Sequence, residues 1–249
     1  QSIDALQIPS VRGEIRTSDN FPLATNTISY LLYANPKVVL EKDRLSKKIA
    51  DIIKTDQASV SAQLTKDAFW VKIASGLSFD QKESIEKLKL KGFGFQDEST
   101  RYYPEASTAA HLVGFLGKKE SGDPKGYFGV EGFYNEQLAG RAGKLFVVRD
   151  ALGNETNDIR EERKIDGRSL VLTIDRFVQY TVTKRLLAGV EKYKADGGTV
   201  IVMEPKSGKI LAMTSFPRFD AQKYYESEYQ TYANPAISNL YEPGSTFKV

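Results

Sequence analysis

The chain has no cysteine. Disulfides, thiolate nucleophiles and cysteine-based zinc sites are thereby excluded. It has one histidine, His111, so a Ser-His-Asp triad would have to use that residue. His111 lies in the apolar run Ala109-Ala110-His111-Leu112-Val113-Gly114, a setting that reads as structural. Without a competing imidazole or thiol, a lysine gains weight as a catalytic base. Long hydrophobic runs are missing as well. No stretch approaches the roughly eighteen apolar residues of a membrane span, and the first residues do not read as a signal peptide. The expectation is a soluble polypeptide, with any membrane anchor placed ahead of Gln1. Charge of one sign is scarce too: 35 Lys and Arg against 32 Asp and Glu leave a net charge of +3. The densest basic stretch, Lys87-Leu88-Lys89-Leu90-Lys91, has no companion arginines or stacking aromatics, so no nucleic-acid partner is expected.

What is present is ordinary for a folded protein. At 249 residues, 41% hydrophobic and 27% charged, the chain has room for one large domain or two smaller ones. Residues 28–33 predict a strand after the turn signal Asp19-Asn20-Phe21-Pro22. Residues 41–55 predict a helix through Leu45, Ile49 and Ile52, and residues 56–66 a weaker one. A strand is expected over 69–74. Asp80 with Glu83 has the spacing of a capping box that opens a surface helix closed by Gly92. Short strands are expected at 93–97 and 101–103. The glycines at 117, 122, 126, 129 and 132 fit no phosphate-binding pattern and predict a loop packed on its own helix. That helix is expected over 130–138. A strand at 144–149 leads to a turn at Asp150-Ala151-Leu152-Gly153. The polar run 154–168 is the best domain boundary.

Beyond it, residues 169–174 predict a strand. Asp175 is a suitable N-cap for a helix carrying Val178, Val182, Leu186 and Val190. Strands at 199–203 and 209–213 flank the turn Pro205-Lys206-Ser207-Gly208. One long helix is therefore available to cover an antiparallel sheet. Residues 214–243 read as mostly irregular and deliver the chain to Tyr241-Glu242-Pro243-Gly244-Ser245-Thr246-Phe247-Lys248-Val249.

In that last stretch a helix starting at Ser245 would stack Lys248 above it at i,i+3 and aim free backbone N–H groups over the serine. A nucleophile, a base and an oxyanion donor would share one volume. The flanks Tyr241, Phe247 and Val249 suggest burial, which disfavours the lysine ammonium and lets it accept the serine proton. Spacing alone is weak evidence, since about one Ser-x-x-Lys match is expected by chance in such a chain. Ser84-Ile85-Glu86-Lys87 is a second match, placed on a surface helix where both side chains face water, and it is assigned no function.

Glu242-Pro243-Gly244-Ser245-Thr246-Phe247-Lys248 resembles the nucleophile motif of the penicillin-binding proteins. Other matches run in family order. Val11-Arg12-Gly13-Glu14-Ile15 is similar to the Arg-Gly-x-Ile that opens the non-catalytic pedestal of class B members. Arg101-Tyr102-Tyr103-Pro104 with His111-Leu112-Val113-Gly114 resembles a second pedestal motif. Gly129-Val130-Glu131 with Tyr134, Leu138, Gly140 and Gly143 resembles a third. Leu172-Thr173-Ile174-Asp175 with Gln179 is similar to the start of the transpeptidase domain, and residues 205–213 to its first hairpin. Tyr33-Ala34-Asn35-Pro36 and the 150–153 turn lean towards the cell-division members. Thr17-Ser18-Asp19-Asn20-Phe21 departs from the usual Asp-Arg-x-Gly, and Asn234-Pro235 from the usual Asn-Arg.

The resemblance implies an α+β chain: an extended dimerisation-type pedestal over residues 1–160, then residues 161–249 as the start of a transpeptidase domain with an antiparallel sheet. It implies a serine D,D-transpeptidase that cross-links peptidoglycan stem peptides. Ser245 would be the nucleophile, Lys248 its proton acceptor, and the Ser245 N–H half of the oxyanion hole. No metal or cofactor is implied. The implied partners are stem peptides on lipid-linked precursor strands, β-lactams, a membrane glycosyltransferase and other division or elongation proteins. The implied location is the extracytoplasmic face of the cell membrane. The family's S-x-N and K-T-G elements are not in these residues, so the 249-residue chain by itself is expected to be inactive. A class D-like β-lactamase or β-lactam sensor, and a non-catalytic docking module, are the alternatives.

Overall fold

The computed structural model describes residues 2–105, 108–149 and 155–247. It is an α+β chain built mainly of antiparallel strand pairs. Two compact units form: residues 26–100, and residues 1–25 together with 101–249.

The second of these begins with β1 (Ser2–Ile8), followed by β2 (Ile15–Arg16) and β3 (Pro22–Ala34). The early part of β3 pairs with β2, Ile15 facing Ala24. The rest of β3 belongs to the unit of residues 26–100. There α1 (Lys42–Ile53) turns the apolar stripe of Ile49 and Ala50 inward. Next comes α2 (Gln57–Leu64), capped by Asp56, whose carboxylate accepts from the Ser59 N–H at 3.2 Å. Then β4 (Val71–Leu77) runs antiparallel to β3. The helix that follows, α3 (Phe79–Glu86), is capped two residues before the expected Asp80. Ser78 and Gln81 form the reciprocal capping box, because Ser78 has the extended backbone a cap requires and Asp80 is already inside the first turn. The helix also ends at Glu86, before Gly92. The two short strands expected beyond it are one, β5 (Phe93–Tyr102), which pairs with β3. Leu32, Ile49, Val60, Leu64, Val71 and Ile85 make the core of this unit.

In the larger unit α4 (Ala110–Val113) leads into the hairpin β6 (Phe115–Lys118) and β7 (Pro124–Tyr127). The expected glycine-rich loop thus contains a hairpin. It does pack on its own helix: a Cβ at Gly126 would lie 1.9 Å from the Glu131 carbonyl oxygen, so only glycine fits there. The expected helix is split into α5 (Gly129–Phe133) and α6 (Asn135–Ala139). After β8 (Gly143–Arg149) the polar run carries β9 (Glu155–Glu162), which pairs with β8, while β1 pairs with the other side of β8. The predicted 150–153 turn lies outside the described residues. Next, β10 (Leu170–Val171) lies parallel to β2. Gly13 donates to the Leu138 carbonyl at 2.8 Å, and a Cβ on it would lie 2.1 Å from the Arg168 oxygen.

Asp175 caps α7 (Arg176–Tyr193) as expected, accepting from the Val178 N–H at 2.9 Å. The helix packs on the hairpin of β11 (Gly198–Met203) and β12 (Ile210–Phe216). The stretch after β12 holds short 3-10 segments at Ala221–Glu226 and Tyr229–Tyr232, then α8 (Pro235–Ser238) and a last 3-10 turn, Gly244–Phe247. Its aromatics are not loose. Phe115 stacks on Tyr224 at 4.1 Å between centroids and meets Tyr232 at 4.9 Å and Phe219 edge-on at 5.9 Å. This aromatic nest joins Ile15, Leu23, Val113 and Leu138 in the unit's core.

Candidate active site

The scaffold that leads to Ser245 is built from α7, β12 and α8. Gln179, in the first turns of α7, is 1% exposed. Its Nε2 donates to the Thr108 carbonyl at 2.9 Å and to the Met213 carbonyl at 3.0 Å, and its Oε1 accepts from the Met213 N–H at 2.9 Å. Asp175 N–H adds a bond to the Leu211 carbonyl at 2.9 Å. The outward edge of β12 is therefore occupied by α7 and its cap. Arg176 secures the same end of the helix. Its guanidinium sits 3.5 Å from the Phe21 ring centroid, and its Nε donates to Glu105 Oε1 at 2.8 Å. On the far side of Met213, Asn234 donates from Nδ2 to the thioether sulfur at 3.3 Å. Asn234 Oδ1 also accepts from the Ala236 N–H at 3.1 Å, capping α8.

Five residues further on the chain reaches the 3-10 turn of Gly244–Phe247. Gly244 enters it with φ +57°, a conformation that favours glycine. Ser245 is exposed. The expected burial is corrected: Tyr241 is 81% exposed and Phe247 77%. Neither ring belongs to the core cluster that holds Phe219, Tyr224 and Tyr232. Lys248, the expected proton acceptor, lies outside the described residues, as does Val249.

The comparison motif at Ser84 behaves as its setting predicts. Ser84 Oγ donates to the Asp80 carbonyl at 2.7 Å, and Lys87 forms an i,i+4 ion pair with Glu83 at 3.1 Å. Both groups are spent on their own helix. His111 is likewise structural: buried, edge-on to Phe219 at 5.3 Å, with Nε2 donating to the Thr231 carbonyl at 2.9 Å. Burial holds its pKa below the ordinary value.

One polar centre was not anticipated from the sequence, although its members were each part of a motif. Glu131 is fully buried. Arg12 reaches its Oε2 from Nε at 2.8 Å and from a terminal nitrogen at 2.5 Å, and Arg101 Nε reaches Oε1 at 2.7 Å. Tyr103 OH donates to Oε1 at 3.3 Å and accepts from the Leu116 N–H at 2.7 Å. Burial, reinforced by the Glu131 carboxylate, pushes the Tyr103 phenol well above its usual range. Asn135 Oδ1 takes bonds from Arg12 at 3.2 Å and the Gly126 N–H at 2.8 Å. Three separate motifs thus meet on one carboxylate. The available signal was two arginines and one glutamate, each inside an apolar or glycine-rich motif.

Among the described residues no cluster of three or more metal-ligating side chains occurs. A cavity of about 460 Å³ lies between α7 and β11, lined by Val182, Leu186, Val190 and Val200. Its walls carry no acid–base pair.

Residues 7–172 match the penicillin-binding protein dimerisation domain, and residues 198–249 match the penicillin-binding protein transpeptidase domain. Stage V sporulation protein D of Bacillus subtilis is 33% identical over 244 residues, covering 96% of this chain and 37% of that protein. Peptidoglycan D,D-transpeptidase FtsI of Escherichia coli is 29% identical over 255 residues, covering 100% of this chain and 43% of that protein. The chain thus spans about two fifths of the length of these curated relatives. Two solved structures share the fold. Penicillin Binding Protein 2X from Streptococcus thermophilus superposes with TM-score 0.62 at 24% identity, over 88% of this chain and 36% of that one. The Helicobacter pylori penicillin-binding protein solved as a complex with MreC does so with TM-score 0.68 at 18% identity, over 90% of this chain and 44% of that one.

Proposed function

This chain belongs to the class B penicillin-binding proteins, and from that premise we propose that it supplies the pedestal and the nucleophile of a peptidoglycan D,D-transpeptidase. Residues 1–160 would form the non-catalytic pedestal and residues 161–249 the start of the catalytic domain. Ser245 Oγ attacks the carbonyl carbon of the penultimate D-Ala of a stem peptide. The C–N bond breaks, D-Ala leaves with a proton, and the serine holds the acyl group. An acceptor amine then attacks the ester, forms the cross-link and restores the serine. Lys248 takes the serine proton, and the Ser245 N–H is one oxyanion donor. A β-lactam acylates the same oxygen by opening its ring.

The observation that carries this reading is the setting of Ser245: exposed, at the start of a helical turn, behind a glycine with φ +57°. The control at Ser84 has neither the turn nor free side chains. The substrates proposed are stem peptides of lipid-linked strands, on the extracytoplasmic side of a membrane-anchored protein. Partners of the pedestal would be a membrane glycosyltransferase and division proteins. The complex of the Helicobacter pylori relative with MreC supports partners of that general kind. Among the described residues no helix is long and apolar enough to cross a membrane.

Fluorescent penicillin tests the assignment. The full-length protein is expected to carry a stable label that Ser245→Ala abolishes and Ser84→Ala leaves intact. Label that persists in Ser245→Ala overturns the nucleophile, and label that is shed within seconds points to a β-lactamase. The 249-residue polypeptide alone should remain unlabelled, since its β11–β12 sheet has two strands and so small a sheet is marginal.

A further inference from the structure

We propose that Gln179 is a positioning residue for the acylation turn, linking the Thr108 segment through β12 to α8 and the chain that enters Ser245. The proposal rests on the reading of Ser245 as the nucleophile.

A glutamine with 1% exposure is costly unless its amide is satisfied. Here each hydrogen of the Nε2 group has a backbone carbonyl of its own, Thr108 and Met213, and the Oε1 takes the Met213 N–H. The side chain therefore does for β12 at Met213 what a neighbouring strand would do. It binds both main-chain groups of one residue and fixes that residue against α7. Its other bond, to Thr108, ties the same point to the segment between Tyr103 and α4. Thr183, one turn further along α7, is buried beside it.

Met213 is where the link passes to the nucleophile side. Its backbone is held by Gln179 and its sulfur by Asn234. Asn234 is itself 9% exposed, and it caps α8. The five residues after α8 are the whole connection to the turn of Gly244–Phe247. The turn has little packing of its own, as the exposure of Tyr241 and Phe247 shows. Its position therefore depends on where α8 is anchored. A small displacement of a nucleophile is expensive in rate, because attack requires near-contact alignment with the carbonyl.

The test is stopped-flow β-lactam acylation of the full-length protein, which separates the dissociation constant of the initial complex from the acylation rate constant. Gln179→Leu is expected to lower the acylation rate constant by about tenfold to a hundredfold, with the initial dissociation constant changed by less than about twofold. Gln179→Glu places a carboxylate against two carbonyls, and protonation returns one donor. Its acylation rate relative to the unmodified protein should therefore rise as pH falls. Asn234→Ala, at the far end of the link, should lower the same constant, and with Gln179→Leu the two losses should be less than additive. If Gln179→Leu does not fold, Asn234→Ala and Gln179→Glu decide. A folded Gln179→Leu that acylates at the normal rate, or losses that are simply additive, overturn the proposal and leave Ser245 untouched. Label surviving in Ser245→Ala overturns both.

Discussion

Glu131 has no exposed surface and is enclosed by Arg12, Arg101 and Tyr103, whereas Ser245 faces water between rings that are three-quarters exposed or more. Both are polar centres built from family motifs. They differ in who satisfies them. A carboxylate out of water must be neutralised by the chain that buries it, and Arg12 and Arg101 do so for Glu131. The serine pays no desolvation cost where it stands. Its reactivity is set by whatever covers it, and the turn specifies only where the oxygen is presented. Buried charge therefore marks what holds this fold together, and the exposed hydroxyl is where the proposed chemistry would take place.

Substitutions can break that contrast. The largest effect is expected at Glu131→Gln, which removes the carboxylate from two buried guanidinium groups and should destabilise the larger unit by about 3–5 kcal/mol. Urea denaturation measures it, and an unchanged midpoint would falsify the view of the cluster as a keystone. Asp175→Ala, which deletes the cap of α7, should cost about 1 kcal/mol by the same assay. A third effect depends on pH. Burial holds the folded-state pKa of His111 below its ordinary value of 6.5, so the unfolded chain takes up the proton first. The stabilisation is present above pH 6.5 and is lost as pH falls through the folded-state pKa. His111→Gln, which keeps a donor for the Thr231 carbonyl, should flatten that slope in an unfolding titration. The smallest effect is expected at Ser245→Ala, within about 0.5 kcal/mol of the parent, because an exposed hydroxyl contributes little to packing. A loss above 1 kcal/mol there would mean that the serine is part of the fold after all.

Local signals were read well where a single stretch decides the outcome. The cap at Asp175, the helix behind it, the hairpin around residues 205–208 and the helix over residues 42–53 follow from periodicity and capping chemistry alone. Reading failed where two local signals competed or where a partner decided. Ser78 displaced Asp80 as the cap of α3 because it has a reciprocal glutamine and an extended backbone. The polar run after β8 became a strand because β8 offered it a ladder. The stretch beyond β12 looked irregular and is irregular, yet Phe219, Tyr224 and Tyr232 are anchored by Phe115 from more than a hundred residues earlier. At the candidate site the serine and its Pro-Gly entry were legible, and Gln179 was visible only as one letter of a motif.

By itself the sequence determined the cap and helix that begin at Asp175, the hairpin around residues 205–208 and the helix over residues 42–53, that cysteine chemistry was closed to the chain, and that Ser245 follows a Pro-Gly pair. Those depend on residues within a few positions of one another, and short-range sterics and capping decide them. The tertiary structure alone decided that Arg12, Arg101 and Glu131 share one buried site, that Gln179 spans Thr108 and Met213, and that the apolar flanks of Ser245 stand in water. Such pairings join residues far apart in the chain, and burial there depends on the packing of whole elements, which no local pattern encodes.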